Sequence, residues 1–284
     1  MSGTHEFHYR IGGRVGGWRP GSHAGSRLGA GQEFSTHLSL FDWPDPRRLD
    51  LRASLRATHA DWLVRVNRQR AGVAVTAVVD VSASMDFGAG RSKLAVAADF
   101  VEALGQSAFR AGDAVGMLAF DALERTELFV PGRLGRGMGS LMAEPLRQWR
   151  AQGAGCDGLT AVLRHLAGRQ GLVFLVSDFH WPLQALVDAL DMLAHAHVVP
   201  MVVWDPAEVE PPAANAPAML RDAETGALRT LWIRPALRRR WAAAVEQRRN
   251  ELHRVFGAHG LRPFHVGGAF DGEALSRYFL EASA

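Results

Sequence analysis

Four strand-length apolar runs decide what this chain can fold into. Residues 73–79, 114–120, 172–176 and 198–204 are almost continuously apolar and carry little polar alternation. Runs of that kind read as strands buried on both faces. Helical spacing fills the gaps between them. Leu94, Ala97, Ala98, Val101, Leu104 and Ala108 mark one face of a helix over 92–110, and Leu183, Leu186, Leu190 and Leu193 mark another. Residues 134–150 and 159–167 read as further helices, and 126–130 as a short edge strand. Strands alternating with helices predict an α/β, Rossmann-type domain: a mostly parallel sheet with helices on both faces. Ligands of such sheets gather beyond the carboxyl ends of the strands.

Two of those ends carry acid. Asp80-Val81-Ser82-Ala83-Ser84 follows the first buried run, and Ser177-Asp178 follows the third. Asp-x-Ser-x-Ser on one tight loop lets three short oxygen side chains face a single point. Hard oxygen donors around a partly hydrated ion describe Mg²⁺, with Mn²⁺ or Ca²⁺ as alternatives. Ser82 and Ser84 supply neutral oxygens, Asp80 supplies charge, and Asp178 arrives from the neighbouring strand. With so few charges around it, such an ion stays electrophilic and can draw in a carboxylate from another protein. The competing explanation is that Asp80 and Ser82 cap turns and Ser84 precedes a helix.

The remainder of the chain is less regular. Residues 1–32 are rich in Gly and Arg and read as an irregular arm. Residues 33–70, with a strand near 62–66, are expected to pack on a main domain spanning 71–284. Toward the C-terminus, 219–233 reads as a hairpin turning at 222–226. A long Arg-rich helix over 235–256 follows, with Leu237, Trp241, Ala244, Val245, Leu252 and Val255 turned inward. A strand at 263–266 and a helix at 273–282 close the chain.

Composition excludes several classes. Net charge is +3, and Lys93 is the only lysine. Arginine clusters in 1–70 and 234–254 lack the fold motif and aromatic interleaving of a nucleic-acid binder, so no nucleic-acid partner is expected. No run approaches the ~18 apolar residues of a membrane helix. Residues 1–19 lack the apolar segment of a secretory leader, and a single cysteine, Cys156, rules out an internal disulfide. Both suit a cytoplasmic setting. There is no Gly-x-x-x-x-Gly-Lys phosphate loop and no Gly-x-Ser-x-Gly nucleophile elbow. A dehalogenase-type phosphatase needs an acid at position 82, where this chain has Ser. The expectation is a protein that catalyses nothing itself. His180, two residues past Asp178, is a candidate neighbour of the ion, but the favoured reading is a surface loop histidine.

The segment 78–85 resembles the metal-ion-dependent adhesion site of von Willebrand factor A domains. More specifically, the chain resembles the bacterial family called domain of unknown function 58. Gly112-Asp113-Ala114-Val115-Gly116, Ser177-Asp178-Phe179, Trp204-Asp205-Pro206-Ala207-Glu208 and Asp222-Ala223-Glu224-Thr225-Gly226 follow that family's signatures in order. The likeness spans about residues 62–282, and within the family the chain looks like the short form without membrane helices, similar to MxaS-type proteins. It implies a von Willebrand factor A-like fold. It also implies a metal-dependent adaptor that works with a MoxR-type AAA+ ATPase to assemble or activate a client protein or metalloenzyme. Two departures stand out. The family places Gly-Thr-Asp-Leu in its middle metal loop, with the threonine as a metal residue. This chain has Gly155-Cys156-Asp157-Gly158, so Cys156, a soft ligand, falls at that position, and Asp157 and Thr160 are the alternatives. The family's amino-terminal motif survives only as Phe41-Asp42-Trp43. The rival expectation is a structural A-type scaffold whose metal site has decayed.

Overall fold

The structure is a computed structural model describing residues 6–11, 20–29, 31, 33–57, 61–151, 153–211, 217–221 and 227–282. The fold falls into two compact units, residues 11–73 and residues 1–10 with 74–284.

The smaller unit contains β1 (Pro20–Gly29), β2 (Glu33–Ser39), α1 (Leu51–Arg56) and β3 (Leu63–Ala71). Its sheet has the order β1-β3-β2, with both pairings antiparallel. Asp50 caps α1 by accepting from the Ala53 N–H at 3.0 Å. β1 lies inside the stretch expected to be an irregular arm. Its residues, rich in Gly, Ser and His, carry no alternating apolar pattern, so backbone pairing to β3 was invisible to periodicity.

The larger unit runs β4 (Ala74–Asp80), α2 (Lys93–Ala111), β5 (Ala114–Phe120), β6 (Val130–Arg133), α3 (Met138–Gln148), α4 (Leu159–Arg164), β7 (Leu172–Ser177), α5 (Leu183–Met192), β8 (His197–Trp204) and α6 (Pro206–Val209). It continues with β9 (Pro217–Arg221), β10 (Leu228–Trp232), α7 (Pro235–Ala258), β11 (Phe264–Gly267) and α8 (Gly272–Ala282). Six strands form one sheet in the order β11-β8-β7-β4-β5-β6. All neighbours are parallel except β5 and β6. This is a mixed α/β architecture compatible with a Rossmann-like fold. β9 and β10 pair antiparallel as the expected hairpin, whose turn lies outside the described residues.

The four apolar runs became β4, β5, β7 and β8, and every residue of β7 is buried. The edge strand differs from expectation. Residues 126–128 form a 3-10 turn, and the strand starts at Val130. A Cβ on Gly116 of β5 would sit 2.6 Å from the Val130 carbonyl oxygen, so this tight approach fixes where β6 lies. Ser92 caps α2 by accepting from the Ala95 N–H at 3.1 Å, and Gly112 ends it in the left-handed region at φ 77°. Phe7, from the extended segment before the small unit, packs on Phe100, Phe174 and Phe270. No helix among the described residues is long and apolar enough to cross a membrane.

Candidate metal centre

β4 and β7 are adjacent and parallel, so Asp80 and Asp178 emerge at the same end of the sheet. The loop after β4 doubles back at once. Asp80 Oδ1 accepts from the Ser82 N–H at 2.9 Å, and the Ser82 and Ser84 hydroxyl oxygens lie 3.2 Å apart. Asp80, Ser82, Ser84 and Asp178 are all buried. The second Asp80 oxygen accepts from Ser177 Oγ at 2.6 Å and from the Trp181 indole N–H at 3.1 Å. Every one of these donors to Asp80 is neutral. Burial, followed by the nearby Asp178 charge, pushes the Asp80 carboxyl up to about 6 despite these bonds.

Asp178 has a different environment. Burial would raise it, but the Lys93 ammonium outweighs that, with help from His180 and a hydrogen bond from Ser84, and holds it below the ordinary carboxylate range. Lys93 Nζ donates to Asp178 Oδ2 and to Glu208 Oε1, at 2.6 Å each. Lys93 is the first residue of α2, so the helix start aims it at the strand ends. Glu208 is set by a capping box on α6: Asp205 accepts from the Ala207 N–H at 2.9 Å, while Glu208 accepts from the Asp205 N–H at 3.2 Å. Asp178, His180 and Glu208 each offer a ligand atom, all within 4.8 Å of one another.

Phe179 is the one non-glycine residue at positive φ among those described, at 53°. Its N–H donates to Ser177 Oγ at 2.8 Å, and its carbonyl receives the Arg248 guanidinium. The β7 loop is therefore held from both sides, which keeps Asp178 and Trp181 facing the Asp80 loop. Local strain at such a loop is common where a functional side chain must be aimed.

The structure thus gathers four of the expected site residues and separates the others. Cys156 is buried in the apolar cluster that includes Phe120, Leu159, Phe179 and Trp181. Asp157 and Thr160 are exposed. The 153–158 loop touches the Asp80 loop through the Ala83 N–H, which donates to the Gly153 carbonyl at 3.0 Å. Lys93, Glu208 and Trp181 are participants that sequence reasoning did not place at the site. A unique lysine directly after an N-cap was the one available signal.

The donor set suits a hard divalent cation. Two hydroxyls and two carboxylates converge, and one buried carboxylate receives no cationic partner among the described residues. The residues that would hold the ion are Ser82, Ser84, Asp80 and Asp178.

The sequence profile of the family described as "Protein of unknown function DUF58" matches residues 44–251. Uncharacterized proteins of Mycobacterium bovis and Mycobacterium tuberculosis are each 31% identical over 247 residues, covering 84% of this chain and 76% of theirs. Among solved structures, the conserved hypothetical protein BatB from Bacteroides thetaiotaomicron is 17% identical with a TM-score of 0.45. That alignment covers 75% of this chain and 98% of that one. An aerotolerance-related membrane protein from Bacteroides fragilis is 16% identical with a TM-score of 0.44, covering 74% and 98%.

Proposed function

The chain belongs to the protein family of unknown function DUF58, and from that premise we propose that it is a cation-dependent protein-binding adaptor with a von Willebrand factor A-like domain and no catalysis of its own. The observation that carries this reading is Asp80. Its carboxylate is fully buried, receives only neutral donors among the described residues and lies beside a second carboxylate. A bound Mg²⁺ would balance that charge, and Ser82 and Ser84 have lone pairs to offer it. The ion would remain short of negative ligands and would accept a carboxylate from a partner. The family resemblance names the partner as a MoxR-type AAA+ ATPase acting on a client protein in the cytoplasm.

A second reading has its own support. The Lys93 ammonium already supplies positive charge to Asp178, and the position matched to the family's metal threonine is Cys156, buried in the core. On that reading the domain is a structural scaffold with a decayed metal site.

Binding to the MoxR-type ATPase in Mg²⁺ and in EDTA separates the two, alongside Asp80→Asn and Ser82→Ala with melting curves as fold controls. The adaptor reading expects binding to fall at least tenfold in EDTA and in both variants. Binding unchanged in EDTA and in folded variants overturns it in favour of the scaffold. Absence of binding under every condition withdraws the ATPase as partner.

A further inference from the structure

A second feature adjoins the Asp178 loop through His180. Trp204 at the end of β8, Val209 at the end of α6, and Trp241, Ala244 and Val245 on α7 enclose an open cavity of about 290 Å³. Its lining is almost wholly apolar, with His180, Glu208 and Arg248 at its polar margin. That volume lies just below the range of small-molecule pockets, and it suits one large side chain better than a cofactor.

The walls are fixed in place. The Trp204 indole N–H donates to the Asp178 carbonyl at 2.8 Å, and the Trp241 indole N–H donates to the Glu208 carbonyl at 2.7 Å. Arg248 is bound to the carbonyls of Phe179 and Trp181. His180 lies flat against Trp204, with ring centroids 5.8 Å apart and planes 7° apart. Two aromatic walls are thus anchored by the two residues that hold Lys93. Preorganised aromatic pockets of this type are where binding energy concentrates in protein interfaces.

Charge says what surrounds the occupant. Residues 234–254 hold seven arginines against two glutamates. Trp241, Ala244, Val245 and Arg248 lie on one face of α7, at i, i+3, i+4 and i+7. Arg238 and Arg249 extend that face at either end, and the Arg249 guanidinium sits 5.7 Å from the Trp204 ring centroid. Glu208, the acid at the margin, is already paired with Lys93. Arg248 and Arg249 each lie 3.5 Å from an acid, Glu251 and Glu246, yet arginines outnumber acids along this helix, so the rim is basic on balance around an apolar hole.

We propose that this pocket takes a large aliphatic or aromatic side chain from an acidic segment of a partner protein, beside the carboxylate that meets the cation. The inference rests on the adaptor reading for that carboxylate, while the pocket itself stands on its own geometry. It supplies what a cation site alone lacks, a means of telling one acidic surface from another.

The test is an array of synthetic decapeptides in which Asp and Glu are placed next to Leu, Phe or Trp, with matched arrays lacking the large apolar residue or replacing acids by Lys. It is probed with wild-type protein, Ala244→Trp, Ala244→Glu and the control Ala242→Trp, in Mg²⁺ and in EDTA. Ala244 is exposed on α7, so a larger side chain fills the pocket without removing core, and melting curves verify the fold. The expected result is binding only to acidic peptides with a large apolar residue. That binding is weakened at least tenfold by both Ala244 variants and unchanged by Ala242→Trp. Pocket-dependent binding that survives EDTA sustains the pocket and overturns the cation reading. Binding indifferent to Ala244→Trp, or to loss of the acids or of the apolar residue, overturns the proposal. So does a blank array, including one accompanied by self-association that Ala244→Trp abolishes, which would make a second copy the occupant.

Discussion

The Lys93 ammonium donates to Asp178 Oδ2 at 2.6 Å, with both side chains almost completely withdrawn from solvent. The same nitrogen reaches Glu208, which keeps partial contact with water. Lys93 therefore already bridges two of the three groups, Asp178, His180 and Glu208, whose ligand atoms lie within 4.8 Å of one another. Removing one partner of a buried ion pair leaves the other charge stranded, at about 3–5 kcal/mol. Lys93→Met should lower stability by about that amount, read from denaturant unfolding midpoints. It should also let Zn²⁺ or Ni²⁺ raise the melting temperature of the variant but not of the wild type. A variant as stable as wild type would show that Asp178 does not need this partner.

Cys156 gives the second prediction. It is only 6% exposed and sits in the cluster with Phe120, Leu159 and Phe179. Ellman's reagent should react with it far more slowly in native protein than in guanidinium, since a sealed thiol needs local opening. Cys156→Thr should cost about 1–3 kcal/mol, because it forces a bulkier, β-branched side chain into a packed cluster. A neutral or stabilising change, with tighter Mg²⁺ binding, would mean that the threonine hydroxyl finds the ion instead.

Much of this was legible from residues alone, for physical reasons. Buried parallel strands have no polar face, so β4, β5, β7 and β8 announced themselves as apolar runs, and the acids that end β4 and β7 were then bound to meet. Asp80, Ser82 and Ser84 were readable because three oxygen side chains spaced two residues apart on one loop form a local pattern. Lys93 was not, since its partners are 85 and 115 residues away. β1 was hidden because its pairing uses backbone groups under residues without apolar alternation. The expected inward stripe on α7 was half right. Leu252 is buried and Val245 and Val255 pack half-buried against the core, but Ala244 is exposed, on the stretch of the helix that also lines a cavity.

The crossing of α2 and α3 supplies a third prediction. A Cβ built on Gly105 would lie 2.2 Å from the Gly139 backbone nitrogen, and one on Gly139 would lie 2.3 Å from the Glu102 carbonyl oxygen. The two helices touch backbone to backbone. Gly105→Ala gains up to ~1 kcal/mol of helix propensity. Overpacking costs typically 1–3 kcal/mol, and more where only backbone can yield, so the net change should be destabilising. Gly257→Ala on α7 meets nothing within 4 Å and should be neutral or stabilising. Equal effects at both positions would remove the close crossing as the cause.

The last prediction concerns acid. His253 and His265 bring their Nε2 atoms to 3.1 Å, with rings stacked at 5.3 Å. Trp204 faces His265 edge-on, and Arg249 lies over Trp204. Burial first, then His253 and Arg249, push the His265 imidazole down from 6.5 to about 4. In the unfolded chain the same group titrates near its ordinary value. Between pH 6.5 and about 4 the unfolded state therefore binds a proton that the native state refuses, so stability falls as pH falls across that window and levels off below it. Replacing His265 with Gln keeps a polar side chain but removes the titration. Unfolding midpoints measured from pH 7.5 to 4.5 should decline less steeply for His265→Gln than for wild type. Identical slopes would place the acid sensitivity elsewhere. A steeper slope in the variant would mean that the histidine pair shares a proton and gains stability from it.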